Sequence, residues 1–128
     1  MRRLLTLAAL ALVACGGDAT VDDQALHDDL VQHRAGAEVT FNATLVDTPI
    51  ESHGHERFHV RSGSGDVLEV DHNTTLARPV PAKAGDSVVI HGELYIDPGS
   101  AGVHCTHAHT SSGCPEPGWI KLGSETYD

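Results

Sequence analysis

Positive charge is scarce in this chain. Eight Lys and Arg stand against 18 Asp and Glu. Two of the eight, Arg2 and Arg3, precede an apolar leader, so residues 15–128 hold six against 18, a formal charge of −12. A surface that acidic repels phosphate backbones, which disfavours nucleic acid as a partner. It also argues against a polybasic patch on anionic lipid. Long hydrophobic runs are missing after the leader. No later segment approaches the roughly 20 apolar residues of a membrane-spanning helix. There is no internal repeat or low-complexity tract. Familiar catalytic signatures give little: no serine sits in a nucleophile elbow, and the letters H-E-x-x-H at His55 to His59 run into the second-strand pattern and not onto the helix that the zinc motif needs. Gly63-x-Gly65 is a turn and not a phosphate cradle, because no helix follows it.

What is present begins with an address. Met1-Arg2-Arg3 forms a charged start, Leu4 to Ala14 is apolar or small, and Leu12-Val13-Ala14-Cys15 ends the run. The apolar stretch is too short to span a bilayer. It resembles a bacterial lipoprotein signal peptide, with cleavage expected before Cys15 and lipidation of that residue. Residues 1–14 are then the signal, and 15–21 the lipidated cysteine and tether. Gly16 after Cys15 resembles outer-membrane sorting. The expected location is the cell envelope, lipid-anchored in the outer membrane and facing the periplasm. Two cysteines remain, Cys105 and Cys114. An even pair in an exported domain reads as a disulfide. The alternative is a pair of thiolate metal ligands, although the spacing is wider than the usual C-x₂₋₄-C knuckle.

The rest is one domain with a modest core. Residues 22–36 read as a short helix, with Leu26, Leu30, Val31 and His33 towards one face and Asp22 and Asp23 in the first turn. Gly36 is a natural stop. The period then changes to two. Val39, Phe41, Ala43 and Leu45 alternate with polar residues in a first strand. Asp47 to Glu56 is a long loop. Phe58 and Val60 mark a second strand, Ser62 to Asp66 a hairpin turn, and Val67 to Asp71 a third strand. Pro79 and Pro81 make Leu76 to Lys83 a connector. Ser87 to Ile96 is a fourth strand, with His91, Glu93 and Tyr95 facing outward. Val103 to His109 is a fifth, and Gly118 to Leu122 a closing segment. Five strands with a non-hairpin connection between the third and fourth suggest a small, mainly β, OB-like Greek-key barrel over residues 37–128.

Several short motifs recur at recognisable spacing: His55-Glu56-Arg57-Phe58; His72-Asn73-Thr74-Thr75-Leu76-Ala77; Gly85-Asp86-Ser87-Val88; Gly92-Glu93-Leu94-Tyr95; Gly102-Val103-His104-Cys105-Thr106-His107; and Gly118-Trp119-Ile120. From His55 to Tyr127 the chain resembles a bacterial family, the domain of unknown function 3465. Arg78-Pro79 and Cys105 depart from its pattern. The resemblance implies a small exported β-barrel, often lipid-anchored, and implies no activity.

All ten histidines lie after the leader. In an OB-type barrel the first loop and the face of the second and third strands form the usual binding surface. On a fifth strand, His107 and His109 would share a face and His104 would point away. They could chelate one ion with His55 or His72, and imidazole suits Zn²⁺ or Cu²⁺. Glu51, Glu56, Asp71 or Glu93 could orient a ligand or act as a base. His59, Asn73, Glu93, Tyr95 and Trp119 complete a candidate ligand surface. The bland alternative is a solvated face of histidines paired to carboxylates, with His55 and His72 structural and Trp119 in the core or a lid. Arg57 and Arg78 are expected to pair with acids, and His27 and His33 lie off any site. The expected function is therefore a monomeric binding module for a small ligand, a transition metal or an envelope protein, with no catalytic residues assigned. A metal-dependent hydrolase using His72, His107 and His109, or a structural envelope protein without ligand, are the alternatives.

Overall fold

A computed structural model of the chain describes residues 19–128. The leader and Cys15 lie outside the described residues. One helix, α1 (Asp23–Val31), precedes eight strands. These are β1 (Glu38–Leu45), β2 (Ile50–Ser52), β3 (His55–Ser62), β4 (Val67–Asn73), β5 (Ser87–Asp97), β6 (Ser100–His104), β7 (Trp119–Leu122) and β8 (Glu125–Tyr127).

Five strands close a barrel in the order β1-β3-β4-β6-β5, and β5 pairs back onto β1. Among the described residues the single parallel pair is β4 with β6, where Val70 sits beside Val103. That pair arises because the 74–86 connector crosses the barrel end before β5 and β6 return as a hairpin. The result is the expected mainly β, OB-like Greek-key barrel with one short N-terminal helix. β5 is long enough to serve three neighbours. It takes β1 on one edge, and β6 and β7 in succession on the other.

The strand pattern works by parity, since alternate side chains face opposite sides of a sheet. Phe41, Phe58, Val60, Leu68, Val70, Ile90, Leu94, Val103 and Ile120 are all nearly or wholly buried in one core. Such a core supplies the main favourable term in folding. Leu26 is the fully buried contribution of α1. The helix sits where β1 has run past β3. Asp22 N–H donates to Thr40 O at 2.8 Å, and the Asp23 carboxylate accepts the Asn42 N–H at 2.8 Å. These bonds satisfy a free strand edge that would otherwise invite pairing with another chain.

Four boundaries differ from the sequence-based expectation. The helix is shorter than 22–36. Asp22 is its N-cap, accepting from Ala25 N–H, and Gln32 closes it. Val31 is exposed, and His33 follows the helix in a left-handed conformation. The long first loop contains β2, a three-residue exposed strand with no alternation to reveal it. Its turn, His53-Gly54, has both residues at positive φ, as a type I′ hairpin turn requires. The fifth barrel strand ends at His104 and does not extend to His109. Cys105 has φ 55, which breaks the extended run. Finally, β8 adds a small hairpin beyond the closing segment and brings Tyr127 against the core.

Candidate functional site

Two groups of polar side chains stand apart, one inside the barrel's end and one on its outer wall. The inner group starts from parity. Glu56 and His72 are cross-strand partners on β3 and β4. Both share the inward face with Phe58 and Val70. At this end the barrel meets the 74–86 connector and the loop after β6. His72 is fully buried. Its Nε2–H donates to Arg78 O at 2.9 Å, which leaves Nδ1 to accept from Thr106 Oγ1 at 2.7 Å. Glu56 accepts the Val80 N–H at 2.9 Å. His107, also buried, donates from Nδ1 to His109 O at 2.7 Å. Burial pushes the His72 imidazole below its ordinary pKa and the Glu56 carboxyl above it. Among the described residues no buried side-chain nitrogen or oxygen lacks a partner. This plug pins the connector and the loop to the barrel, and it leaves His72 no free lone pair.

The outer group lies along β5. His91, Glu93 and Tyr95 alternate onto its outward side, half-buried beneath their neighbours. The register sets Thr40 and Trp119 beside His91, Glu38 and His104 beside Glu93, and Gly102 beside Tyr95. His91 stacks on Trp119 with ring centroids 5.6 Å apart. Its Nδ1 lies 2.6 Å from Thr40 Oγ1 and its Nε2 3.4 Å from Glu38 Oε2. His104 Nε2 is 3.3 Å from Glu93 Oε1, and its ring meets Tyr95 edge-on. Tyr95 lies across Gly102, where a Cβ would collide with the phenol. Its hydroxyl donates to Glu69 at 2.9 Å.

Charge on this wall is unbalanced. Burial, with Glu93 and Glu116 adding repulsion, pushes the Glu38 carboxyl up to about 7. Burial lowers the His91 pKa, against the pull of Glu116. Burial and Glu69 raise that of Tyr95. Lys121 places its Nζ 4.5 Å from the Trp119 ring centroid. Next to Tyr95 a cavity of about 210 Å³ is lined by His59, Glu69, Asp97 and Ala101 among others. A second cavity, of about 190 Å³, lies between β1 and the β3–β4 turn, with Arg61 as its one charged lining residue.

The sequence-predicted residues therefore separate. His55, His72, His107 and His109 do not assemble as ligands. His55 donates to Asp71 at 2.7 Å, sharing that carboxylate with Arg57. His72 and His107 belong to the plug, and His109 is exposed in the loop. Asn73 forms a turn, accepting from the Thr75 N–H and hydroxyl at 2.9 and 2.6 Å. His59 donates to Asp47 at 2.7 Å. Glu51 is exposed on β2. Arg78 reaches Thr126 O, 2.8 Å away, and lies over the Tyr127 ring. Glu93, Tyr95 and Trp119 do share the outer wall. Among the described residues, one set of three potential ligand atoms lies within 4.8 Å of one another: Glu93, His104 and Cys105. The Cys105 sulfur is bonded to Cys114, so the expected disulfide is present.

His91, His104 and Glu38 were the residues not anticipated. The signal for His104 was legible: Pro98-Gly99 makes a two-residue turn, and counting back from it puts Glu93 opposite His104.

The chain belongs to the family described as protein of unknown function DUF3465, whose model matches residues 8–128. No curated protein and no solved structure matches it.

Proposed function

We propose that this protein is a lipid-anchored binding module of the bacterial envelope, and that its outer β5 wall holds a transition-metal ion. One observation carries the reading. Glu93 sits in register between a second carboxylate, Glu38, and an imidazole, His104, with His91 on the same wall. Carboxylate oxygen and imidazole nitrogen together suit Zn²⁺, Cu²⁺ or Ni²⁺. A dication also relieves the crowding of Glu38, Glu93 and Glu116. The anchor rests on Leu12-Val13-Ala14-Cys15. No helix among the described residues is long and apolar enough to cross a membrane.

Calorimetric titration of the purified, oxidised chain with Zn²⁺ and Cu²⁺ tests the site. The expected result is about one ion per chain, weakened at least tenfold by Glu93→Gln or His104→Gln and unchanged by His109→Ala. No binding, or binding indifferent to the first two substitutions, would turn the wall into a structural surface. The anchor is tested by metabolic labelling with a radioactive fatty acid. Label should enter the native chain and disappear in Cys15→Ser; label in both, or in neither, removes the anchor.

A further inference from the structure

The disulfide ends against the metal-facing wall. Glu93 and His104 are cross-strand partners, and Cys105 follows His104 directly. The ligand atoms of all three lie within 4.8 Å of one another. Around a tetrahedral zinc, ligand atoms sit roughly 3.5 Å apart. Side-chain rotation has to close that difference. In the disulfide the sulfur is no thiolate and makes a poor ligand.

Reduction would free it without releasing it. Three restraints hold Cys105 in place independently of its bond to Cys114, and a fourth keeps the loop tip folded. Thr106, the next residue, is fully buried with its hydroxyl on His72 at 2.7 Å. Gly118 N–H donates to His107 O at 2.8 Å, which ties the far end of the loop to its start. The Gly118 backbone packs so closely on Cys105 O that a Cβ there would collide with it. Ser111 and Cys114 exchange backbone hydrogen bonds of 2.9 and 3.2 Å, which keep the loop tip folded. The buried plug thus holds the cysteine at the edge of the outer wall.

We infer that Glu93, His104 and Cys105 form a three-ligand site for Zn²⁺ or Co²⁺ whose thiolate is withheld by the Cys105–Cys114 disulfide and supplied when a dithiol reduces it. The dithiol delivers two electrons and two protons to the S–S bond, giving two thiols and leaving as its own cyclic disulfide. The ion then displaces the Cys105 proton to solvent and bonds to sulfur, imidazole nitrogen and carboxylate oxygen. Two negative ligands neutralise the dication. A fourth position is left for water or for the sulfur of Cys114. The site shares Glu93 and His104 with the reading above, but it does not require ion binding by the oxidised chain.

Co²⁺ is the probe, because a cobalt–thiolate bond gives a charge-transfer absorption that oxygen and nitrogen ligands do not. The full chain would be titrated oxidised, after dithiothreitol treatment with the reductant removed under argon, and as Cys114→Ser, which leaves Cys105 a thiol. The expected result is the thiolate band at one Co²⁺ per chain in the reduced and Cys114→Ser forms, and no band in the oxidised form. Adding His104→Gln or Glu93→Gln to Cys114→Ser should weaken binding at least tenfold, and Cys105→Ser should abolish the band. No band in either thiol form overturns the inference, as does a band whose affinity ignores His104→Gln. If Cys114→Ser does not fold, the reduced native chain and its His104→Gln variant decide. Metal bound by the oxidised chain, with no band gained on reduction, keeps the preceding reading and removes this one.

Discussion

The barrel's inner plug and its outer β5 wall are built from the same residue types, yet they lead to opposite chemistry. Both combine histidine, glutamate and threonine. In the plug both ring nitrogens of His72 are matched, and burial favours its neutral form. On the wall carboxylates outnumber nearby cations, and Glu38 is held far above an ordinary carboxylate. The lesson is that a histidine's parity and partners decide its role. Number and spacing along the chain do not. His72, Thr106 and His107, from the family-like motifs, fall in the plug and mark how the barrel is closed.

This contrast can be broken or sharpened by substitution. The largest effect is expected at His72→Ala. It leaves Thr106 and Arg78 O without partners and opens a void, costing about 2–4 kcal/mol in urea denaturation. Ion binding should survive wherever the fold does. A loss of binding without a loss of stability would reverse the roles of the two groups. Next comes Cys105→Ser with Cys114→Ser. Removing the closed loop should cost roughly 2–3 kcal/mol in the chain-entropy picture, seen as a lower denaturation midpoint.

His104→Gln should do the reverse of His72→Ala. Binding of Zn²⁺ should fall at least tenfold, while stability moves by no more than about 0.5 kcal/mol for this half-exposed residue.

The two groups also titrate in different senses. Burial lowers His72 below its unfolded value of 6.5. Its contribution is therefore complete above pH 6.5 and lost as pH falls, because the unfolded chain takes up the proton first. Glu38 has a folded value of about 7 against 4.5. Its neutral form is favoured by folding, so that contribution is present below pH 4.5 and fades as pH rises to about 7. Melting temperature followed across this range should show Glu38→Gln removing the upper decline and leaving the acid limb intact. An unchanged upper limb would show that Glu38 is not crowded in solution.

The barrel was largely legible because the period of two is strong where one face is buried. Val39, Phe41, Ala43 and Leu45 on β1, and Val88, Ile90 and Leu94 on β5, all point inward as that pattern requires. β2 was hidden because an exposed three-residue strand carries no burial signal. The extent of β6 was misjudged because nothing in Val103 to His109 announces that Cys105 adopts a left-handed conformation. That one residue undid the pairing of His107 with His109 on a common strand face. The site was only partly legible. Glu93, Tyr95 and Trp119 were identified, but His104 was assigned the face turned away. Its true neighbour follows from counting the β5–β6 register back from the Pro98-Gly99 turn, which the alternation within Val103 to His109 alone does not give.

The most direct test follows the imidazole nitrogen resonances of the ¹⁵N-labelled oxidised chain while substoichiometric Cu²⁺ is added. Paramagnetic broadening reports which rings lie closest to the ion. Broadening of His104 first and His91 next, with His72 and His107 untouched, is the predicted result. Broadening centred on His55, His107 or His109, or spread evenly over all ten histidines, would contradict the assignment of the outer wall as the binding surface.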